Sequence, residues 1–171
     1  DNLDNLLFYS SPTPDAPNST QGYNEFCGVP DFSIDGGLFS GGVNLSLSSD
    51  LNDFNIYYSL DGSDPTSESL LYTNEIQILE TTVIKASIIS DNCYSTSFKT
   101  QTYLINEAVN LPIISLSTDP ENLWNNDTGI YVLGDNASDD IPYFGANFWE
   151  DWEKPSHIEF FENDGSLGFS L

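Results

Sequence analysis

His157 is the one histidine among the 171 residues, so a multi-histidine zinc centre is out of reach and a serine or cysteine triad has a single candidate base. Cys93 and Ser156 are the nucleophiles it could serve, yet neither stands in a nucleophile elbow or another recognisable turn. A strand histidine that faces solvent or pairs with Glu159 is the plainer reading. Carboxylate pairs such as Glu153 and Glu159 have the chemistry that glycoside hydrolysis uses. With 27 acids in the chain, pairs of this kind arise by number alone. No catalytic residue is assigned.

Two motifs could bind rather than react. Phe148-Trp149-Glu150-Asp151-Trp152-Glu153-Lys154-Pro155 sets two indoles among four charges. Rings stack on the apolar faces of pyranoses while acids accept hydroxyl protons, which makes Trp149 and Trp152 candidate sugar-binding residues. The alternative is that both pack into a core or under a loop, with the indole N–H on an acceptor. In Asp61-Gly62-Ser63-Asp64-Pro65-Thr66, the residues Asp61, Ser63 and Asp64 offer hard oxygens to calcium, with Asp61 and Asp64 as the charged ligands. The hexapeptide lacks the bidentate glutamate and the alternation of a calcium loop. Its other reading is a hairpin or wide turn, in which Asp-Gly supplies positive φ, Asp64 bonds nearby backbone and Pro65 fixes the exit.

The charge balance excludes whole classes of partner. Against 27 Asp and Glu stand Lys85, Lys99 and Lys154 with no arginine, a net charge of −24. Nucleic-acid binding needs clustered cations, as do anionic membrane surfaces and an arginine clamp on ATP. The acids are scattered from Asp1 to Asp164, which reads as a solvated surface with acids in loops and on outward strand faces. The apolar share of 39% with 12 glycines suffices for a packed core, which argues against disorder throughout.

The elements that must position these residues are short strands. Residues 1–26 are polar, with a Ser/Pro-rich centre that suits extended structure and no packed core. Val43, Leu45 and Leu47 alternate with polar residues, as do Phe54, Ile56, Tyr58 and Leu60, and further strands are expected over 72–78, 82–89 and 96–105. Five alanines and no methionine speak against a long helix. Seven or so strands at spacings near ten residues predict a mainly β chain, an immunoglobulin or fibronectin III-like antiparallel sandwich over 27–107. In that topology the lead-in to the first strand lies at the same end as the loop joining the last two. A Cys27–Cys93 disulfide would staple the two together, and the alternative is two separate thiols.

After Asn110 a short additional β-rich segment is expected. Leu111-Pro112-Ile113-Ile114-Ser115-Leu116 reads as a buried strand, 117–124 as a cap and short helix with proline in its first turn, Gly129-Ile130-Tyr131-Val132 as a brief strand and 135–146 as a loop. His157 to Glu162 resumes alternation, and Asp164-Gly165 is a hairpin signal feeding Ser166 to Leu171. That alternation runs to Leu171 with no closing turn, so a fragment of a longer protein is expected.

Several stretches resemble known families. Pro30-Asp31-Phe32-Ser33, Gly36-Gly37-Leu38-Phe39-Ser40, Ile56 to Thr66 with its Asp-Gly-Ser-Asp-Pro-Thr element, Tyr72 and Thr81-Thr82-Val83-Ile84-Lys85-Ala86 resemble the chitobiase/beta-hexosaminidase C-terminal domain. That resemblance implies a non-catalytic, fibronectin-like accessory sandwich. Leu111 to Leu116, Asn122-Leu123-Trp124, Gly129 to Val132, Asn147 to Pro155 and His157-Ile158-Glu159-Phe160-Phe161 resemble the start of the CotH kinase-like family, and carry none of its catalytic residues. Phe8 to Asn18 is similar to the closing segment of secreted bacterial lamin-tail domains, with Asp15 where glycine is expected.

Together these imply a tail of a lamin-tail-like domain (1–26), a sandwich (27–107) and the N-terminal part of a CotH-like domain (108–171). The expected function is a non-enzymatic spacer in a secreted or cell-surface bacterial protein. Its partner is the downstream domain of the same chain, and it has no cofactor. The alternatives are a polysaccharide-binding module and a calcium-dependent adhesion module. Neither nucleic acid nor membrane insertion is expected.

Overall fold

The computed structural model describes residues 7–11, 13–108 and 110–171. Among these residues fourteen strands carry the fold: β1 (Phe8–Tyr9), β2 (Gly22–Tyr23), β3 (Asp31–Phe32), β4 (Gly37–Phe39), β5 (Val43–Leu45), β6 (Leu47–Ser48), β7 (Asn55–Ser59), β8 (Leu70–Leu71), β9 (Ile76–Ile78), β10 (Thr82–Ile89), β11 (Phe98–Ile105), β12 (Ile113–Ser117), β13 (His157–Phe161) and β14 (Leu167–Ser170). One short helix, α1 (Pro120–Trp124), follows β12, and a 3-10 turn covers Asn147–Trp149. The chain is mainly β, as its alternating patterns predict.

Five strands pair in the order β4-β11-β10-β7-β8, antiparallel except for β4, which runs parallel to β11. The pairs β3-β6 and β5-β9 lie opposite this sheet. Their facing side chains make one core: Leu45, Leu47, Ile76 and Ile78 meet Ile56, Ile84, Ala86, Ile88, Tyr103 and Ile105. The period of two in a strand explains the selection, since Ile84, Ala86 and Ile88 alternate with Lys85 and Ser87. Tyr103 is fully buried because its hydroxyl donates to the Ile34 carbonyl at 2.7 Å. The single alternating run at 43–47 is divided between two pairings, with Ser46 as the corner: its N–H meets the Ser33 hydroxyl and its carbonyl the Ser33 N–H.

Cys27 and Cys93 are joined in a disulfide, with their Cα atoms 5.0 Å apart. Beside it Phe26 bridges Tyr94 in parallel, and the rings of Phe8, Phe26 and Tyr94 form a chain of contacts at 4.2 and 5.9 Å. The lead-in segment is therefore tied down by β1-β2, an aromatic cluster and a covalent bond.

The segment after 110 departs from expectation in two places. Its three strands form a separate antiparallel sheet, β12-β13-β14. Ile114 and Leu116, expected to be buried, are 67% and 65% exposed, because the face of β12 turned inward carries Ser115 and Ser117. Residues 129–132 are a turn and not a strand: the N–H groups of Gly129, Ile130 and Tyr131 bond the carbonyls of Asn125, Asn122 and Leu123. Two of those carbonyls lie in α1 and one on its C-cap, where a helix leaves acceptors unsatisfied, so these amides are spent there and not on a ladder.

The disulfide closes a span of 66 residues, for which the chain-entropy argument gives about 4 kcal/mol. Replacing both cysteines by serine is expected to lower the urea-unfolding free energy by about 2–4 kcal/mol with the β-type far-UV spectrum retained. A change below about 0.5 kcal/mol would show that the aromatic cluster alone holds the segment.

Candidate functional site

The face of β10 and β11 turned away from the core carries Lys85, Ser87, Thr100 and Thr102, and all four are buried. Thr102 and Lys85 lie against the inward face of β12 and β13, which carries Ser115, Ser117, His157 and Glu159 with Ile113 and the fully buried Phe161 at its end, while Ser87 bonds Ser95 Oγ and the Ser97 carbonyl. Polar groups thus meet across the joint, beside a smaller apolar contact at Leu104 and Phe161, and each polar group must find a partner where it lies. Thr102 Oγ1 donates to Glu159 Oε2 at 2.5 Å and lies 2.7 Å from Ser115 Oγ. Since the Thr102 hydroxyl has one hydrogen, Ser115 donates to it, giving a chain Ser115, Thr102, Glu159 across the joint. Glu159 is fully buried, which corrects the expectation that the acids lie outward, and its Oε1 has no partner among the described residues. Burial raises its pKa, with the Thr102 hydrogen bonds opposing. His157 Nε2 lies 3.9 Å from Glu159 Oε2 and 3.2 Å from Ser170 Oγ. Its pKa is lowered by burial and by the charge of Lys85, so at neutral pH it stands beside Glu159 as neutral imidazole.

Lys85 anchors the second half of the joint. Its ammonium is 2.6 Å from Asp64 Oδ1 and 4.6 Å from the centre of the Phe98 ring, and its side chain is 4% exposed against 53% for Asp64. The Asp64 N–H donates to Asp119 Oδ2 at 2.9 Å, while Asp119 Oδ1 accepts from the Glu121 N–H as the cap of α1. One unbroken line therefore runs from β10 through the Asp61–Thr66 turn to the helix of the following segment. Between them lies an open cavity of about 210 Å³, lined by Lys85, Asp64, Phe98, Ser117, Asp119 and His157 among others.

The same triplet makes both ends of the contact. In Asp61-Gly62-Ser63 the aspartate Oδ1 accepts from the Ser63 N–H and hydroxyl at 3.0 and 2.6 Å, and Asp164-Gly165-Ser166 repeats the pattern at the same two distances. These bonds lower the pKa of Asp61 and Asp164. Gly62 and Gly165 have φ of 85° and 83°, which favours glycine, and each sits against the opposite sheet's chain. A Cβ on Gly62 would lie 3.0 Å from the Thr118 carbonyl oxygen, and one on Gly165 would lie 2.7 Å from Leu38 Cβ.

The candidate calcium ligands take part in this joint. Asp61 Oδ1 is turned to Ser63 and Asp64 Oδ1 to Lys85, so a cation would have to displace Lys85. Among the described residues no group of three or more His, Cys, Asp or Glu is placed to hold a metal. The candidate sugar residues lie elsewhere. Trp149 is 55% exposed, donates from Nε1 to the Pro142 carbonyl at 3.0 Å and touches Phe144 and Phe148, with ring centres 5.8 and 6.0 Å away. Trp152, 41% exposed, has Lys154 Nζ 5.6 Å from its ring. Neither is packed into a core. The loop that presents them is pinned by Asn147, buried, whose Nδ2 donates to the carbonyls of Asn126 and Gly129.

Lys85, Thr102 and Ser115 give no site signal in the sequence, because polar residues on a strand's second face read as solvated, and Asp119 reads there as a helix cap. The repeated Asp-Gly-Ser triplet was the available signal. Because Lys85 is buried and Asp64 is half exposed, the two sides of their pair should respond unequally. Asp64→Ala strands an ammonium and is expected to cost about 3 kcal/mol or more by urea unfolding, whereas Lys85→Met leaves a hydrated carboxylate and costs about 1 kcal/mol. Equal losses would show that the lysine reaches water.

No curated protein matches the chain. Residues 34–102, which run from just before β4 into β11, match the family model of the chitobiase/beta-hexosaminidase C-terminal domain, a β-sandwich accessory domain.

Proposed function

We propose that this chain is a non-catalytic spacer from a secreted or cell-surface bacterial protein, in which the sandwich sets the orientation of the CotH-like region begun by β12–β14. The observation that carries this reading is the joint itself. The signature turn of the matched domain, Asp61–Thr66, is spent on Asp119 and Lys85 and not on a ligand. Hydrogen bonds with fixed donors and acceptors set one relative position, which greasy contact alone would leave free to slide. The disulfide suits an oxidising compartment. The outward face of the second sheet, with Ile114, Leu116 and Phe169 exposed, suits a segment that carries a further layer.

In aligned medium, amides of β10–β11 and of β12–β13 are expected to fit one alignment tensor, and the purified chain is expected to turn over neither ATP nor glycosides. Two independent tensors, or measurable turnover, would overturn the reading.

A second reading, a polysaccharide-binding module, draws on the exposed ring cluster Phe144, Phe148 and Trp149 with Trp152 nearby. Ring faces left open to solvent are what pyranose stacking uses. On this reading a polysaccharide panel titrated against tryptophan fluorescence gives a saturable change that Trp149→Ala abolishes. Silence across the panel leaves the spacer alone.

A further inference from the structure

We propose that Glu159 is a proton-operated latch on the joint between the sandwich and the β12–β14 sheet: with its carboxyl protonated the joint is closed, and loss of that proton loosens it. The proposal rests on the fixed-orientation reading and adds a regulator to the same contact. Its ground is the placement of the carboxyl. Glu159 is fully buried between two sheets, and the Thr102 hydroxyl is its side-chain donor, on Oε2. Oε1 has no partner among the described residues, so an ionised carboxyl would hold charge on an oxygen that none of them solvates. A proton on Oε1 removes that penalty and leaves the Thr102 bond intact.

Among the described residues no cation stands ready to offset the charge. Lys85 on β10 is held by Asp64 at 2.6 Å. His157 on β13, 3.9 Å away, is kept neutral at neutral pH by burial and by Lys85. From β12 and β14 the facing groups are hydroxyls, those of Ser115, Ser117 and Ser170. Tyr103 on β11 points to the other side of its sheet, and its pKa is raised by burial first and by Asp35 and Glu159 after it. Asp119 at the cavity's edge adds negative charge.

The direction follows from the raised pKa of Glu159. Its contribution to the closed joint is complete below the ordinary carboxylate value near 4.5 and is lost as pH rises through the elevated one. His157 acts in the opposite sense, since its lowered pKa makes its contribution complete above 6.5 and lost as pH falls through the depressed value. Comparing wild type with Glu159→Gln separates the two, because the amide keeps an acceptor for Thr102 and cannot ionise.

Amide hydrogen exchange, corrected for the intrinsic pH dependence, is the direct readout between pH 5 and 9. Protection of the Glu159 and Phe161 amides should fall with rising pH, by about tenfold for each unit by which the Glu159 pKa is raised. Ile84 and Ile88 in the sandwich should hold constant, and Glu159→Gln should flatten the β13 profile. In the wild type, the Glu159 carboxyl carbon followed by NMR should titrate above the exposed glutamates, which keeps the test in force if the variant fails to fold. A flat wild-type profile, or a Glu159 carbon that titrates with the exposed glutamates, overturns the latch and leaves the spacer standing. β12–β14 amides unprotected at every pH overturn the fixed joint and the latch together.

Discussion

An ammonium group with almost no solvent around it must be neutralised where it lies, and for Lys85 it is Asp64, among the described residues, that does so. Much of the architecture follows from that requirement. Asp64 reaches Lys85 because the Asp61–Thr66 turn is held in shape by its own caps and by a glycine at φ 85°. Once in place, the turn presents the Asp64 N–H outward, and Asp119 takes it as the same side chain caps α1. The helix start and the approach of Thr118 to Gly62 are consequences of one buried charge on β10.

A sandwich normally sends polar residues on its outer strand faces to water. Here β10 and β11 are buried on both faces, mainly apolar on one, with Lys85, Thr100 and Thr102 beside Leu104 on the other, so the second sheet has to be polar inward where it meets those groups and apolar only at Phe161. That inverts the usual arrangement for β12–β14. The hydroxyls of Ser115 and Ser117 and the carboxyl of Glu159 point in, while Ile114, Leu116 and Phe169 point out. The two Asp-Gly-Ser turns close the contact from opposite sides, one from each sheet, each relying on the absence of a Cβ.

Strand alternation made the sandwich legible. The runs at Ile56, Ile84 and Tyr103 give the period of two directly, and the topology put Cys27 and Cys93 at one end, where they are bonded. What alternation cannot report is which of two faces is inward when both become buried, and it misled at Leu111–Leu116 for that reason. The brief strand expected at Gly129–Val132 failed because nearby carbonyls at the end of α1 compete for the same amides, a preference set by proximity and invisible to period. Trp149 and Trp152 stood out by type, but their exposure depends on Asn147 pinning the loop, and an asparagine in a polar stretch gives no such signal.

A net charge of −24 limits how such a chain can be held together. All three lysines are committed: Lys85 to Asp64, Lys99 to Asp35 at 3.8 Å and to the Phe32 ring, and Lys154 to the Trp152 ring. A joint made of surface ion pairs would need cations that this sequence does not have, and salt would screen it. Hydroxyl hydrogen bonds and a buried carboxyl need no counter-charge, are little affected by ionic strength and fix direction as well as distance. In an acidic chain whose two sheets meet in this way, Ser115, Thr102 and Glu159 are therefore residue types that can join them without cations, and the one element among them that stays sensitive to its surroundings is the proton on Glu159.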